Sequence, residues 1–236
     1  MFRLLYLVIY LKANLLYLLP SLWKAKRLEA QGRSDEFYDY IFKICYNFGN
    51  GLIKCTGSTV DVSGTEKIPD GSVLFVCNHQ SFFDIPLMLG TINKPKSFIA
   101  KIETMNIPLI SSWMKLGKCV FIDRDDARQS LKAINEGIEI LKSGHSMVVF
   151  PEGTRSKSSE MLEFKKGSLR LATRSGVPIV PITISGSYKI FEANNVKIKP
   201  AHVKITVSEP IFTNNLTKEE ESQLSDRVHK IIKDNL

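Results

Sequence analysis

The sequence is poor in the residues that build disulfide frameworks and metal centres. It has four histidines and four cysteines among 236 residues, and no two cysteines form a CxxC pair. Cys77 and Cys119 lie in apolar, strand-like runs, where a free thiol packs as a small hydrophobic group. We therefore expect neither disulfide bonds nor a metal site, and we expect a reducing, cytosolic environment.

Other absences narrow the chemistry. No serine or cysteine lies in a nucleophile-elbow pattern such as GxSxG, which favours a base acting directly on substrate over a covalent enzyme intermediate. The chain has no internal repeat and no low-complexity tract. No small-residue cleavage site follows the apolar N-terminus, so a secretory signal peptide is not expected.

A surplus of basic residues is the main bias in the composition. The chain has 32 Lys and Arg against 24 Asp and Glu, a formal net charge of +8 and a pI of about 9.2. Such a surplus favours an anionic partner, which can be nucleic acid, a phosphate-bearing substrate or anionic lipid. The basic residues are dispersed and form no recognised nucleic-acid-binding module, so we expect no nucleic-acid partner.

The N-terminal segment, 4–19, is nearly all apolar and is broken by Lys12 and Asn14. As a helix it would cover about 24 Å, less than the roughly 30 Å of a bilayer core. A span extended to Trp23 would reach that length, with Lys12 near mid-membrane at a cost of about 2.5–3.5 kcal/mol. Apolar neighbours can offset that cost, so a single span stays open as an alternative.

The next segment, 37–54, is two-faced. Apolar residues recur at three- and four-residue spacing, and polar residues recur at the same spacing on the other side, as in an amphipathic helix. Between the two segments, Lys24, Lys26 and Arg27 suit anionic headgroups. We interpret residues 1–57 as a two-helix amphipathic membrane anchor that dips into one leaflet; a packed helical hairpin is a further alternative. The apolar face comprises Phe37, Tyr40, Ile41, Ile44, Cys45 and Phe48.

Residues 58–236 have the pattern of an α/β domain. Short β-rich runs alternate with helical stretches, and continuous apolar runs such as VLFVC and MVVF predict strands buried on both faces. We expect a mixed, largely parallel sheet covered by helices. The predicted strands are 59–63, 72–77, 97–100, 119–122, 146–150, 178–184 and 202–207. The predicted helices are 85–92, 106–116, 126–143, 163–175 and 217–234.

The stretch NHQSFFD follows the VLFVC run and places His79 five residues before Asp84. On one continuous helix these residues would point about 140° apart, so they can meet only if the chain turns first. Pro86 fits the first turn of a helix that begins after such a turn, and Ser81 or Asp84 could cap it. The residues alone leave two interpretations. One is a catalytic pair, in which a neutral imidazole takes a proton from a substrate hydroxyl and the carboxylate orients the ring. The other is a loop histidine followed by an ordinary helix cap.

A second polar loop, FPEGTRS, follows the SMVVF strand. Gly153 allows backbone to approach a ligand closely, and Arg155 can bind phosphate with two parallel hydrogen bonds. Arg124 and Lys101 also lie just past predicted strands. Together with His79, these residues predict a cleft for an anionic substrate at the ends of the strands.

In these motifs the chain resembles the glycerophosphate acyltransferases that carry an HxxxxD motif, and among them the PlsC-type 1-acyl-sn-glycerol-3-phosphate acyltransferases. The resemblance covers about 59–210, and the amphipathic N-terminus is similar to the family's two-helix anchor. The motifs occur in the family's order: NHQSFFD at 78–84, FIAKIE at 98–103, GKCVFIDR at 117–124, FPEGTRS at 150–156, FKKGS at 164–168 and VPIVPI at 177–182.

The resemblance implies a role for each matching residue. His79 would be the general base on the acceptor hydroxyl, and Asp84 would orient it. Residues 177–182 would shape the core and the acyl pocket. The glycerol-phosphate part of the substrate would be bound by Glu152, Gly153, Thr154 and Arg155, with Lys101 and Arg124 near the phosphate.

The resemblance also implies the reaction: direct transfer of a fatty acyl group from acyl-CoA or acyl carrier protein to the sn-2 hydroxyl of lysophosphatidate, giving phosphatidate. The thioester is a co-substrate, and no cofactor or metal is expected. The enzyme would lie on the cytoplasmic face of a membrane as a peripheral or monotopic protein. Its partners would be the anionic membrane surface, the lipids lysophosphatidate and phosphatidate, and the thioester donor. Two alternatives remain: the same chemistry on glycerol 3-phosphate or another lysophospholipid, and a non-catalytic basic membrane-surface protein.

Overall fold

The computed structural model describes residues 2–165, 167–195 and 197–236. Lys166, in the predicted helix 163–175 and the FKKGS motif, lies outside the described residues. The helices are α1 (Phe2–Tyr17), α2 (Leu19–Ala30), α3 (Ser34–Thr56), α4 (Asp84–Thr91), α5 (Ile110–Leu116), α6 (Ala127–Lys142), α7 (Arg170–Ser175) and α8 (Lys218–Lys233). The strands are β1 (Thr59–Ser63), β2 (Leu74–Cys77), β3 (Lys96–Lys101), β4 (Val120–Ile122), β5 (Ser146–Val149), β6 (Ile179–Ser185) and β7 (His202–Val207).

The strands form one sheet with the order β1-β7-β6-β2-β5-β3-β4. Neighbouring strands run parallel, apart from β6 and β7, which pair antiparallel with Ile182 opposite Val207. The prediction of a mixed, largely parallel sheet is therefore confirmed. Strands β2 and β5 are neighbours, so the two polar loops that follow them emerge at the same edge of the sheet.

The central strand β2 is buried on both faces because alternate side chains enter two different cores. Leu74 and Val76 pack in a cluster with residues of α6, α7 and α8. Phe75 and Cys77 pack on the opposite face, with Leu87 and other residues of α4. The two-residue period of a strand thus explains why the VLFVC run is apolar throughout.

Two predicted helices are shorter than expected, while the other predicted strands and helices begin and end within two residues of the structure. The helix predicted at 106–116 begins only at Ile110, after a 3-10 turn over Ile102–Asn106. Pro108 disfavours helical backbone at the residue before it, which accounts for the break. The helix predicted at 163–175 is reduced to α7, preceded by Gly167 at a φ of 95°.

Helix α3 packs closely on α4, the helix that carries Asp84. A side-chain carbon built on Gly90 would lie 2.6 Å from the backbone nitrogen of Asn50, and one on Gly49 would lie 2.7 Å from that of Gly90. Only residues without a side chain allow this approach. Ile53 of α3 also belongs to the core cluster beneath α4. The division into 1–57 and 58–236 stays a prediction, and the two parts share this packed contact.

The N-terminal region contains three helices where two were predicted. The chain bends by 44° between α1 and α2, where Pro20 lies near the start of α2. No described helix is by itself long and apolar enough to cross a membrane. The bent pair of α1 and α2 together has a length and composition that would allow it to cross, and these two criteria are the only ones that it meets. Helix α1 buries none of its residues, and its exposed apolar side chains include Phe2, Leu5, Tyr6, Val8, Ile9, Leu16 and Tyr17.

Candidate active site

The turn after β2 is fixed to the sheet by two side chains. The Asn78 amide donates to the carbonyl of Ile184 at 2.8 Å and accepts from its N–H at 2.8 Å. Gln80 accepts from the N–H of Gly186 at 3.0 Å. These bonds continue the contact between β2 and β6 after the backbone has left the sheet. The chain can therefore turn sharply before α4, as the pairing of His79 with Asp84 requires.

His79 and Asp84 are in direct contact. The Nδ1 atom of His79 lies 2.8 Å from Oδ2 of Asp84, whose side chain is fully buried. The same oxygen accepts the backbone N–H groups of Gln80 and Ser81, at 2.7 and 2.8 Å. An acceptor at Nδ1 favours the tautomer with its proton on that atom, which leaves Nε2 as the lone-pair side of the ring.

Two further contacts fix the His79–Asp84 pair. The hydroxyl of Ser187, just beyond β6, donates to Oδ1 of Asp84 at 2.5 Å. The His79 ring stacks on Phe150, with ring centroids 4.1 Å apart. Asp84 therefore accepts four hydrogen bonds, and a carboxylate held in this way is strongly oriented. The His79 side chain keeps 15% of its surface exposed.

The predicted cap of α4 was wrong. Neither Ser81 nor Asp84 caps the helix with its side chain: the cap position is Phe83, and Asp84 is the first helical residue. The Asp84 carboxylate is directed back toward amides that precede the helix, and the Ser81 hydroxyl accepts from the N–H of Phe83 at 3.1 Å. A side-chain cap must reach amides inside the first turn, and both acceptors are engaged upstream of it.

Glu152 ties the two polar loops together. It is buried, with one oxygen accepting the N–H of His79 at 2.6 Å and the other accepting the N–H of Leu162 at 2.9 Å. Burial raises the pKa of this carboxyl, and the two backbone N–H groups oppose that shift. Both oxygens are thus engaged by the protein's own backbone. This geometry favours a role in positioning His79, and the predicted contact of Glu152 with substrate stays a prediction.

The loop after Glu152 presents backbone and cations to solvent. Gly153 has a φ of 71°, and a side chain there would collide with Lys165, which lies 2.7 Å from the position of its first carbon. A guanidinium nitrogen of Arg124 donates to the carbonyl of Gly153, so Arg124 reaches this loop from the end of β4. Thr154 is exposed on the same loop.

Lys101 lies farther along the same edge, at the end of β3 beside β4. It is exposed and forms an ion pair with Glu103. The charge of Glu103 also attracts the Arg124 guanidinium. No contact links Lys101 to His79 or Arg155 among the described residues. Its predicted place near the phosphate stays a prediction. Residues 177–182 lie in and beside the buried strand β6, in the core.

Arg155 lies beside the loop 78–83, which carries His79. Its Nη1 donates to Glu192 at 3.0 Å, and its guanidinium carbon lies 4.7 Å from the centre of the Phe82 ring. About 30% of the Arg155 side chain is exposed, so the cation is held and remains accessible. The structure thus places His79, Asp84, Arg124, Gly153 and Arg155 at one edge of the sheet.

The motifs gave no indication of Ser187 or Glu192. Both follow β6 in short 3-10 segments, Ser187–Ile190 and Glu192–Asn194. Ser187 contacts Asp84, and Glu192 contacts Ser81, across more than a hundred residues, while Glu192 and Arg155 are 37 residues apart. Their roles depend on tertiary contacts between β6 and the turn after β2. Only the position of Ser187 right after a strand end could have marked it as a site candidate.

Known proteins of similar sequence are acyltransferases. The family model described as Acyltransferase matches residues 59–185. The chain is 36% identical to a probable 1-acyl-sn-glycerol-3-phosphate acyltransferase of Mycoplasma pneumoniae, over 86% of this chain and 77% of the relative. It is 28% identical to the enzyme of the same name from Cocos nucifera, over 94% and 69%.

A solved structure is similar over nearly the whole chain. It is that of the 1-acyl-sn-glycerophosphate acyltransferase PlsC from Thermotoga maritima, with 32% identity, a TM-score of 0.87, and coverage of 99% of this chain and 93% of that one. The chain belongs to the acyltransferase family. The predicted resemblance to its PlsC-type members is confirmed.

Proposed function

We propose that this acyltransferase esterifies the sn-2 hydroxyl of 1-acyl-sn-glycerol 3-phosphate, forming phosphatidate. The observation that carries the proposal is the His79–Asp84 pair at the same sheet edge as Arg155 and Arg124. A base beside phosphate-binding cations suits an acceptor with both a hydroxyl and a phosphate. The names of the relatives in Mycoplasma pneumoniae and Cocos nucifera agree with this acceptor.

The proposed reaction proceeds by direct attack. Nε2 of His79 takes the proton of the acceptor hydroxyl as its oxygen attacks the thioester carbonyl of acyl-CoA or acyl carrier protein. The buried Asp84 stabilises the imidazolium that forms. The tetrahedral intermediate then expels the thiolate, which takes the proton from His79. The products are an ester and a free thiol, with His79 again neutral.

The acceptor phosphate is assigned to Arg155 and Arg124. Among the described residues, Nε and Nη2 of Arg155 have no protein partner, and these two atoms form the edge that binds phosphate through parallel hydrogen bonds. Arg124 adds positive charge across Gly153. Thr154 on the exposed side of the loop and Lys101 at the end of β3 complete the proposed binding surface.

We further propose that the N-terminal helices hold the enzyme on a membrane surface. The exposed apolar side chains of α1 favour insertion into the outer part of a leaflet, and Lys24, Lys26 and Arg27 of α2 favour anionic headgroups. This placement would give the site its lipid substrate from the membrane and its thioester from the cytosolic side.

The proposal is tested by measuring acyl transfer from each thioester donor to each of several acceptors. Purified enzyme is incubated with labelled acyl-CoA or acyl carrier protein and, separately, with lysophosphatidate, glycerol 3-phosphate and lysophosphatidylcholine. We expect the highest kcat/KM with lysophosphatidate, and we expect EDTA to leave it unchanged because side chains carry every proton and charge role. Higher kcat/KM with another acceptor would reassign the substrate, and no transfer with any thioester would refute the enzyme.

A further inference from the structure

Glu192 is a buried carboxylate that no motif includes. Its side chain is 5% exposed, and it accepts three hydrogen bonds. One oxygen accepts the Ser81 hydroxyl at 2.7 Å, and the other accepts the N–H of Phe82 at 2.8 Å and Nη1 of Arg155 at 3.0 Å. The Glu192 side chain therefore contacts both the loop next to His79 and Arg155, the proposed phosphate ligand.

Two carboxylates, those of Asp84 and Glu192, accept the hydrogen bonds of the segment 80–82 next to His79. Asp84 accepts the N–H groups of Gln80 and Ser81, and Glu192 accepts the next donors along the chain, from Ser81 and Phe82. His79 and Arg155 are thus connected through one short segment that is fixed at each residue from 80 to 82. A change at Glu192 would release Arg155 from the segment that carries the base.

The contact leaves the binding edge of Arg155 open. Nη1 is engaged by Glu192, and the guanidinium packs against the Phe82 ring at 4.7 Å. An arginine held on one side in this way loses less conformational freedom when it binds a ligand on the other.

We propose that Glu192 is a positioning residue, which sets the distance between the phosphate-binding edge of Arg155 and Nε2 of His79. Acceptors are then selected by the separation of their phosphate and hydroxyl groups. This inference rests on the proposed function, because it takes Arg155 as the phosphate ligand.

Charge repulsion alone would change the KM for the acceptor in the opposite direction. Glu192 places a negative charge beside the proposed phosphate site, so its removal would strengthen phosphate binding if repulsion dominated. If positioning dominates, removal weakens phosphate binding. The direction of the change in KM for the acceptor therefore decides between the two effects.

The experiment compares Glu192→Ala with Glu192→Gln. A glutamine oxygen can accept from Phe82 and Arg155 while its NH₂ donates to the Ser81 hydroxyl, so it retains the contacts without the charge. We expect Glu192→Ala to raise the KM for lysophosphatidate about tenfold, which is the loss of one charge-assisted hydrogen bond, with the KM for the thioester unchanged. Glu192→Gln should restore most of that loss.

A second readout is the preference for a phosphate. The ratio of kcat/KM for lysophosphatidate to that for monoacylglycerol should fall in Glu192→Ala by about the same tenfold factor. Glu36→Ala is the matched control, since Glu36 pairs with Arg33 on the exposed N-terminus of α3. If Glu192→Ala does not fold, as judged by circular dichroism and Tm, Glu192→Asp keeps the charge and shortens the reach, and the same rise in KM is expected.

Three results would overturn the inference: an unchanged or lower KM for lysophosphatidate, an equal loss for acceptor and thioester, or an unchanged preference for the phosphate. Failure of the proposed function is distinguishable, because the wild type would then show no transfer to lysophosphatidate in the same assay.

Discussion

Replacing Asp84 with Asn separates the charge of this buried carboxylate from its hydrogen bonds. An asparagine oxygen at the position of Oδ2 can still accept from His79, Gln80 and Ser81. The NH₂ group then lies where Oδ1 was and can donate to the hydroxyl of Ser187, which accepts as well as it donates. The two backbone N–H groups select this orientation. We therefore expect the ring position and the tautomer of His79 to survive.

The expected loss is that of one charge beside the imidazolium. With charge centres roughly 4 Å apart and an effective dielectric constant of about 20, the interaction is about 4 kcal/mol. Since about 1.36 kcal/mol corresponds to a factor of ten, kcat should fall by about 10³. The KM for lysophosphatidate should change little, because Arg155 and Arg124 are untouched.

The assay is the initial rate of phosphatidate formation from labelled thioester, together with the Tm of each variant. Asp61→Asn is the matched control, because Asp61 contacts His202 at 3.2 Å on exposed strands away from the site. Asp84→Ala should lower the free energy of unfolding, by about 1–3 kcal/mol for each buried donor left unpaired. A kcat of Asp84→Asn above about a tenth of the wild-type value would refute this reasoning.

Two further predictions concern stability. Burial lowers the pKa of Lys96 to about 7 in the folded protein. Above pH 7 this lysine is therefore more fully protonated in the unfolded chain than in the folded one, up to its ordinary titration range. Urea denaturation gives the free energy of unfolding of the wild type and of Lys96→Met at each pH. The wild-type value minus the Lys96→Met value should rise from pH 7 to 9, by at most about 1.4 kcal/mol per pH unit. A difference that stays constant would show that burial does not lower the pKa of Lys96. Gly90→Ala should cost about 1–3 kcal/mol, since its new carbon meets the backbone of α3. An unchanged Tm for Gly90→Ala would show that α3 and α4 can separate at no cost.

Patterns local in sequence allowed most of the sheet to be predicted. The run VLFVC is apolar because β2 is buried on both faces, and Pro86 correctly indicated a helix that begins after a turn. Features of this kind depend on period and turn chemistry, which a single sequence records directly. The contact of His79 with Asp84 was one of two interpretations that the residues left open, and it required a turn before the helix, which the structure contains.

The supports of the site could not be predicted in the same way. Ser187 and Glu192 contact Asp84 and Ser81 across more than a hundred residues, and a serine or glutamate after a strand is ordinarily solvated. Glu152 was assigned by resemblance to the substrate, while the structure shows its oxygens engaged by backbone. The cap of α4 was wrong because both candidate side chains accept hydrogen bonds upstream of the helix.

The proposed acyl transfer depends most directly on His79 acting as a base. The decisive measurement compares wild type, His79→Ala and the control His202→Ala in transfer of labelled acyl groups to lysophosphatidate, with the Tm of each confirming the fold. Loss of a general base costs about 10²–10⁴ in rate, so His79→Ala should fall by at least about 10² while His202→Ala stays near the wild type. Wild-type phosphatidate formation that persists in a folded His79→Ala variant would contradict the account.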